Sequence, residues 1–305
     1  MLIMNKTRLL LFFVLSIFLG YSGYSQQDPQ YTQYMYNMNV VNPAYAGSKE
    51  NLSIGLLFRD QWSGIKGAPR TFTFNAHTPL GNGLGVGLSA INDKAGPMNN
   101  TNTYADISYT IDFGDAGNLA FGVKAGATFY DIGLTDLDLQ DPNDPAFSQD
   151  YDKTKPNFGA GLLYYTDNWY VGFSVPNLLT NKHIDADGHK FGEDKQHWFA
   201  TAGYVFELGD NFKLKPSALV KSAFSAPVSF DVNLNALFYE VFEIGASYRN
   251  EDSFSGLIGV RPTNWMQIGF AYDHSISDMK KPSYEAFLLF DIPFSKKSYR
   301  SPRYF

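Results

Sequence analysis

The residues that could carry out chemistry are scattered along this chain of 305 residues. There is no nucleophile elbow, phosphate loop, HExxH motif or dinucleotide-binding fingerprint. The glycines between Gly81 and Gly87 belong to a turn and a strand, whereas a phosphate loop would open a helix. The absence of cysteine excludes disulfides, Cys-ligated zinc and iron–sulfur clusters. The histidines lack metal-ligand spacing: His77, His183, His189, His197 and His274. We therefore expect no catalytic residue, no cofactor and no enzymatic activity.

One segment, 131–156, is rich in aspartate. Carboxylates this dense could coordinate Ca²⁺ through oxygen, and Asp138, Asp141 and Asp144 are the candidate ligands. The order of residues is not that of an EF-hand, and aspartate-rich loops are usually only solvated. Calcium binding here is the weaker of the two interpretations.

The composition favours a β structure that is apolar on one face and polar on the other. Aromatic residues make up 16% of the chain. Charged residues make up 18%, against about 25% in an average globular domain. Acidic residues outnumber basic ones by 30 to 24, which argues against a nucleic-acid partner.

Residues 1–25 have the three-part layout of a secretory signal peptide. Lys6 and Arg8 precede an apolar run from Leu9 to Leu19, and small or polar residues follow up to Ser25. The run is shorter than the roughly 20 residues that a membrane helix needs. We expect cleavage near Ser25; an uncleaved anchor is the alternative. No later apolar run is long enough for a membrane helix, which leaves periplasmic, secreted and outer-membrane destinations.

Apolar and polar residues alternate along most of the remaining chain. In 228–238, Val228, Phe230 and Val232 alternate with polar residues, and strict alternation places the two sets on opposite faces of a strand. Most such segments have about ten residues, the length of a tilted transmembrane strand. We predict an all-β fold: a transmembrane antiparallel β-barrel of about 14 strands over 51–294. The predicted strands lie near 52–62, 71–78, 84–92, 103–113, 119–130, 157–166, 169–176, 196–207, 211–221, 228–238, 241–249, 254–262, 265–274 and 283–294.

Long and short connections alternate along the predicted barrel. Segments 93–102, 131–156 and 177–195 are long, whereas 114–117 and 167–168 are tight turns. Transmembrane barrels have long extracellular loops and short periplasmic turns. This arrangement predicts that both chain termini lie on the periplasmic side of an outer membrane.

The four tryptophans border the predicted strands. Trp169 and Trp265 begin strands after tight turns, and Trp62 and Trp198 border long loops. Tryptophan rings are enriched at membrane–water interfaces, so the four are candidate interface aromatics. Four ordinary core tryptophans are the alternative.

The predicted inward face is polar and of mixed sign, and a large barrel holds either an aqueous channel or a plug. Segment 26–50 precedes the first strand and has no clear period. It is interpreted either as a plug or as a periplasmic docking arm. Residues 295–305 form a basic tail that we expect in the periplasm. The inward residues are His77, Asp106, Asp112, Lys124, Asp231, Glu243, Arg249, Asp273, Glu285 and Asp291.

Three motifs resemble those of one family. The first is the stretch from Gln27 to Asn37 continued by Asn42–Gly47, the second is Arg59–Gly64 followed by Gly67–Pro69, and the third is the ending Arg300–Phe305. Together they resemble the PorP/SprF family. The resemblance implies an outer-membrane barrel associated with type IX secretion. It also implies, for some members, a role beside a large secreted adhesin, in export, surface anchoring or gliding motility.

On this interpretation the partners are the C-terminal domain of a secreted adhesin, other secretion components, or both. Arg59 and Trp62 are expected to fix the first strand and its loop, with Arg59 on the polar face. Packing of these two residues and of the five arm residues named below against the barrel is the alternative to partner contact. A diffusion channel for small solutes and a soluble secreted β protein are the competing functions. The arm residues expected to be recognised by a partner are Tyr31, Tyr34, Asn42, Pro43 and Tyr45.

Overall fold

The fold is an up-and-down β-barrel with a segment of its own chain inside. The computed structural model describes residues 31–135, 149–180, 182–186, 189–193, 196–223, 228–277 and 280–294. The strands are β1 (Asn51–Asp60), β2 (Arg70–Gly81), β3 (Leu84–Ala95), β4 (Met98–Asp112), β5 (Asn118–Ile132), β6 (Tyr151–Tyr165), β7 (Trp169–Val175), β8 (Lys182–Ala186), β9 (His189–Glu193), β10 (His197–Tyr204), β11 (Phe206–Glu207), β12 (Phe212–Ala223), β13 (Ser229–Phe238), β14 (Phe242–Arg249), β15 (Ser253–Thr263), β16 (Met266–Ser275) and β17 (Ser283–Pro293).

The barrel closes because the first and last strands pair. Each barrel strand is antiparallel to the next, and β1 pairs with β17 from Asn51↔Pro293 to Asp60↔Tyr284. Strand β11 prolongs β10 beyond Val205, and β8 pairs only with β9 as a separate hairpin. Fourteen barrel strands result, which confirms the predicted fold.

The alternation of the sequence becomes an apolar outside and a polar inside. On β13, Val232 and Leu234 are 50% and 48% exposed, while Asn233 between them is 2% exposed. A water-soluble barrel would bury the apolar set instead. An outward apolar band is the arrangement that hydrocarbon stabilises in a transmembrane barrel.

The expectation of a loop at 93–102 is wrong. Strands β3 and β4 continue through this region in register, and Ala95 pairs with Met98 around a two-residue turn. The amide of Asn92 donates to Asn99 and Thr101, each at 2.9 Å. These cross-strand polar pairs continue the ladder where the apolar alternation has ended, so the periodicity gave no sign of the strand.

Residues 31–48, here called the lumen segment, lie inside the barrel. The segment contains a 3-10 turn at Tyr34–Tyr36, the short helix α1 (Met38–Val41) and a second 3-10 turn at Pro43–Tyr45. Its side chains form one buried cluster together with Leu57, Leu163, Tyr170 and Phe287 of the wall, among others. The main apolar core therefore lies within the lumen.

A further 3-10 turn is Gly114–Ala116. Within the described ranges, no helix has the length and apolar character needed to cross a membrane.

Candidate functional site: the filled lumen

The lumen segment runs the length of the barrel. We call the end that carries connections 61–69 and 276–282 the loop end, and the end that carries 82–83 and 264–265 the turn end. Tyr31 contacts Arg249, the last residue of β14, at the loop end. Lys49 pairs with Asp291 at 2.9 Å near the turn end. Tyr31, the first described residue, thus lies near the loop end, and β17 ends at the turn end. The position of both termini on the side of the tight turns remains a prediction.

Buried charges hold the start of the lumen segment. Arg59 donates to Asp273 at 2.7 Å, and the hydroxyl of Thr32 donates to the same carboxylate at 2.7 Å. The carboxylate of Glu285 accepts the backbone N–H groups of Thr32 and Gln33 at 3.0 Å. Buried charges are costly unless paired and hydrogen-bonded. Here the main chain of the lumen segment supplies part of that compensation.

Arg249 forms the second ionic contact at the loop end. Its guanidinium donates to Asp231 at 2.8 Å and to the carbonyl oxygen of Tyr31 at 2.8 Å. The hydroxyl of Tyr31 is 2.8 Å from that of Thr73 on β2. Because a guanidinium is planar and carries several donors, it joins the wall and the segment in one geometry.

Tyr36 and Lys124 fix the middle of the segment. Tyr36 donates to Glu243, which also accepts from Asn235 at 2.7 Å, and its ring stacks on Phe287 with centroids 4.2 Å apart. Lys124 donates to the carbonyl oxygens of Val40 at 2.7 Å and Asn39 at 3.3 Å. Its Nζ lies 3.7 Å from Asp106.

Glycines on the inner wall let the segment approach the backbone. A Cβ at Gly161 would lie 2.0 Å from Asn42 Oδ1, and one at Gly122 would lie 2.2 Å from the amide nitrogen of Ala44. Asn42 accepts the N–H of Ala44 and donates to the carbonyl of Leu162, both at 2.9 Å. Only glycine permits the backbone of the lumen segment to approach the backbone of the wall this closely. We call Gly85, Gly122, Gly161 and Gly172 the glycine groove.

Six of the seven candidate partner-contact residues are buried in the lumen. Arg59 is on the polar face, as expected. Trp62 is half-buried in the loop after β1, where its backbone N–H donates to the hydroxyl of Ser283 at 3.0 Å. A partner would reach the buried six only if the lumen segment moved, and their role in partner binding remains a prediction. The six are Tyr31, Tyr34, Asn42, Pro43, Tyr45 and Arg59.

Three tryptophans face outward near strand ends. The ring centroids of Trp169 and Tyr164 are 5.3 Å apart. Trp198 stacks on Phe173 with centroids 6.3 Å apart, and Trp265 stacks on Phe290 with centroids 6.0 Å apart. These contacts join outward-facing rings on neighbouring strands. Contact of the rings with a membrane interface remains a prediction.

Of the acidic segment, the structure describes only the ends. At one of them Thr135 donates its backbone N–H and hydroxyl to Asp150, each at 2.9 Å, and these hydrogen bonds hold the pKa of Asp150 below its ordinary value. Asp138, Asp141 and Asp144 lie outside the described residues, as do 1–25 and 295–305. Among the described residues, no group of three or more histidines and carboxylates could hold a metal ion.

Sequence reasoning missed how the inner residues combine. It put Glu285, Asp273 and Arg249 on the inner face but did not join them to Tyr31–Gln33. It also overlooked the glycine groove. The signal available was glycine at inward positions of adjacent strands, but it has meaning only once the strand register is known.

The comparisons with known proteins agree with this architecture. A family model described as type IX secretion system membrane protein PorP/SprF matches residues 23–290. This family consists of membrane components of a secretion system and is not a family of enzymes. A comparison with curated proteins gave no match.

Solved outer-membrane barrels share the fold at low identity. CymD, a monoaromatic hydrocarbon channel, has 13% identity and a TM-score of 0.53, covering 87% of this chain and 93% of its own. A Pseudomonas aeruginosa FadL homologue has 12% identity and a TM-score of 0.50, covering 87% and 95%. Acinetobacter baumannii Omp33 has 9% identity and a TM-score of 0.50, covering 81% and 100%.

Proposed function

We infer the function of this protein from its family, because the chain belongs to the PorP/SprF family of type IX secretion system membrane proteins. We propose that it assists type IX secretion by docking proteins at the outer membrane. Its partner is the C-terminal domain of a secreted adhesin, another secretion component, or both. Retention of the adhesin at the cell surface, for gliding motility in some cells, is the most specific form of this proposal.

The observation that carries the proposal is the occupied lumen. The lumen segment bonds to side chains of many different strands, and it separates a cavity at the loop end from one at the turn end. The polar inner face that suggested a diffusion channel is thus already bound to protein. We therefore place the binding of partner proteins on the exterior of the barrel, above all at the loop end.

Exposed apolar side chains at the loop end support docking there. Ile65 is 37% exposed and Ile276 is 44% exposed, and both lie in connections between strands. Leu178 and Leu179, in the connection after β7, are each 39% exposed. Contiguous exposed apolar patches rimmed by polar residues mark protein interaction sites, and we propose that these side chains belong to such a patch.

Deleting the gene and restoring it with variants tests the proposal. We expect deletion to move the adhesin from the cell surface into the medium or to trap it inside the cell, as measured by quantitative proteomics of each fraction. Restoration with Ile276→Asp should leave the defect, because a charge there opposes apolar contact. Leu208→Asp, in an exposed connection at the turn end, is the matched control and should restore the wild-type distribution. An unchanged adhesin distribution after deletion would contradict the docking function.

A further inference from the structure

The loop-end half of the lumen contains a cavity that the lumen segment leaves unfilled. Its floor is formed by Tyr34, Val40 and Val41 of the segment, and its walls include Ile91, Phe199 and Leu219. The space open to the centres of water-sized molecules is about 90 Å³. At 10–15 Å³ for each water, that is room for about six to nine waters, and an aromatic ring has about six heavy atoms.

Four charged side chains border the cavity, Lys124, Lys221, Asp231 and Arg249, and none of them is without a partner. Lys124 donates to two carbonyl oxygens and lies 3.7 Å from Asp106. Arg249 is bonded to Asp231 and to the carbonyl of Tyr31. An ion entering the cavity would lose its hydration and would have to break these pairs to gain new ones.

The cavity is also built from fixed parts. The hydroxyl of Tyr104 donates to Asn177 at 3.0 Å, and Lys124 lies over the Tyr104 ring, 5.0 Å from its centroid. The floor is held by the ionic contacts at the loop end. Although four charged residues border the cavity, the surface that it exposes is mostly apolar. A preformed, mostly apolar cavity that also carries polar groups is the usual form of a small-ligand site.

We propose that this cavity binds an uncharged group of about the size of one aromatic ring. The group comes either from a free aromatic compound or from an aromatic side chain of the docked protein. Both sources present the same chemistry: a flat apolar surface that gains by leaving water and needs no counter-ion. The binding itself does not depend on the proposed docking function, and only the second source rests on it.

Fluorescence quenching by bromobenzene tests the binding in the full-length protein in lipid nanodiscs. Phe199→Trp places a reporter on the cavity wall, and Phe173→Trp places one on the outer surface, where Phe173 is 48% exposed. The unsubstituted protein supplies the background from the native tryptophans. We expect quenching of the first reporter to saturate, and quenching of the second to rise in proportion to bromobenzene dissolved in lipid. Proportional quenching of both reporters would overturn the proposal.

Filling the cavity supplies the matched control. Leu219→Phe adds a ring inside the cavity, whereas Leu234→Phe adds one to the outer surface, where Leu234 is 48% exposed. With the Phe199→Trp reporter, we expect the first substitution to weaken bromobenzene binding by about tenfold or more and the second to leave it unchanged. If Leu219→Phe does not fold, Ile91→Phe fills the same cavity. Unweakened binding in a folded, filled variant would also overturn the proposal.

Surface proteomics then distinguishes the sources of the ring. If cells carrying Leu219→Phe release the adhesin while Leu234→Phe cells retain it, the ring belongs to the docked protein. If both retain it and the purified Leu219→Phe variant has lost bromobenzene binding, the ring belongs to a free compound. Because gene deletion tests docking independently, failure of either proposal is recognisable by itself.

Discussion

At the scale of the residue, the buried charges are stable only in combination. Arg59 lies between Asp273 at 2.7 Å and Glu285 at 3.7 Å, and all three side chains are almost fully buried. Removing one partner of a buried ionic group is far more costly than removing a surface pair, because the remaining charge stays away from water. The polar periodicity identified each of these residues as inward, but only the register shows that they meet.

Replacing Arg59 should therefore destabilise the barrel strongly. We expect Arg59→Met to lower the free energy of unfolding by about 3–5 kcal/mol, since it removes the cation that contacts both Asp273 and Glu285 and leaves these buried carboxylates only their neutral donors. Arg70→Met is the control: Arg70 also contacts a carboxylate, Asp60, at 2.8 Å, but its side chain is 69% exposed. That pair should be worth at most about 1 kcal/mol. Urea unfolding followed by tryptophan fluorescence measures both, and equal losses would contradict the ionic role of Arg59.

The glycine groove makes a second prediction at this scale. A side chain at Gly161 would collide with Asn42, whereas a Cβ at Gly256 on β15 would meet nothing within 4 Å. We expect Gly161→Val to cost about 1–3 kcal/mol by overpacking and Gly256→Val to cost much less. The same unfolding measurement applies. A Gly161→Val barrel as stable as Gly256→Val would mean that the segment does not lie against β6.

At the scale of the element, alternation predicted the barrel strands well, since each strand has one face toward an apolar surrounding and the other toward a polar one. The prediction failed where both faces of a strand have similar surroundings. Strands β3 and β4 continue beyond the apolar band on asparagine and threonine pairs such as Asn92 with Thr101. The lumen segment was equally hard to predict, because its order comes from contacts with residues distant in sequence: Tyr31 and Arg249 are 218 positions apart.

Hydrogen–deuterium exchange separates the extended β3–β4 hairpin from a loop. In a regular ladder most backbone N–H groups are bonded between strands, and exchange requires local opening. We expect the amides of 92–102 to exchange slowly and those of the exposed residues Gly64, Lys66 and Gly67 in the connection 61–69 to exchange fast, in the same sample. Similar fast exchange in both segments would contradict the extended hairpin.

At the scale of the whole molecule, the barrel and the lumen segment complete each other. The wall provides buried charges that need partners, and the segment provides main-chain groups and aromatic rings that need a wall. An empty barrel of this size would expose a mixed-sign polar lining to water, as a porin does. The same chain therefore contains the lining of a channel and the segment that fills it, which is why composition and periodicity could not decide between a plug and an open lumen.

This dependence predicts the electrical behaviour of the barrel. In planar bilayers we expect the complete protein to give no steady conductance, because residues 31–48 occupy the lumen, and a variant lacking 31–48 to give steady steps. A thiol probe provides a second measurement if the deletion variant folds poorly. Asp106→Cys on the inner wall, where Asp106 is 1% exposed, should react slowly in the complete barrel and faster when Gly161→Val displaces the segment. Steady conductance from the complete protein would favour the diffusion channel instead, since ions would then cross a lumen that the segment does not close.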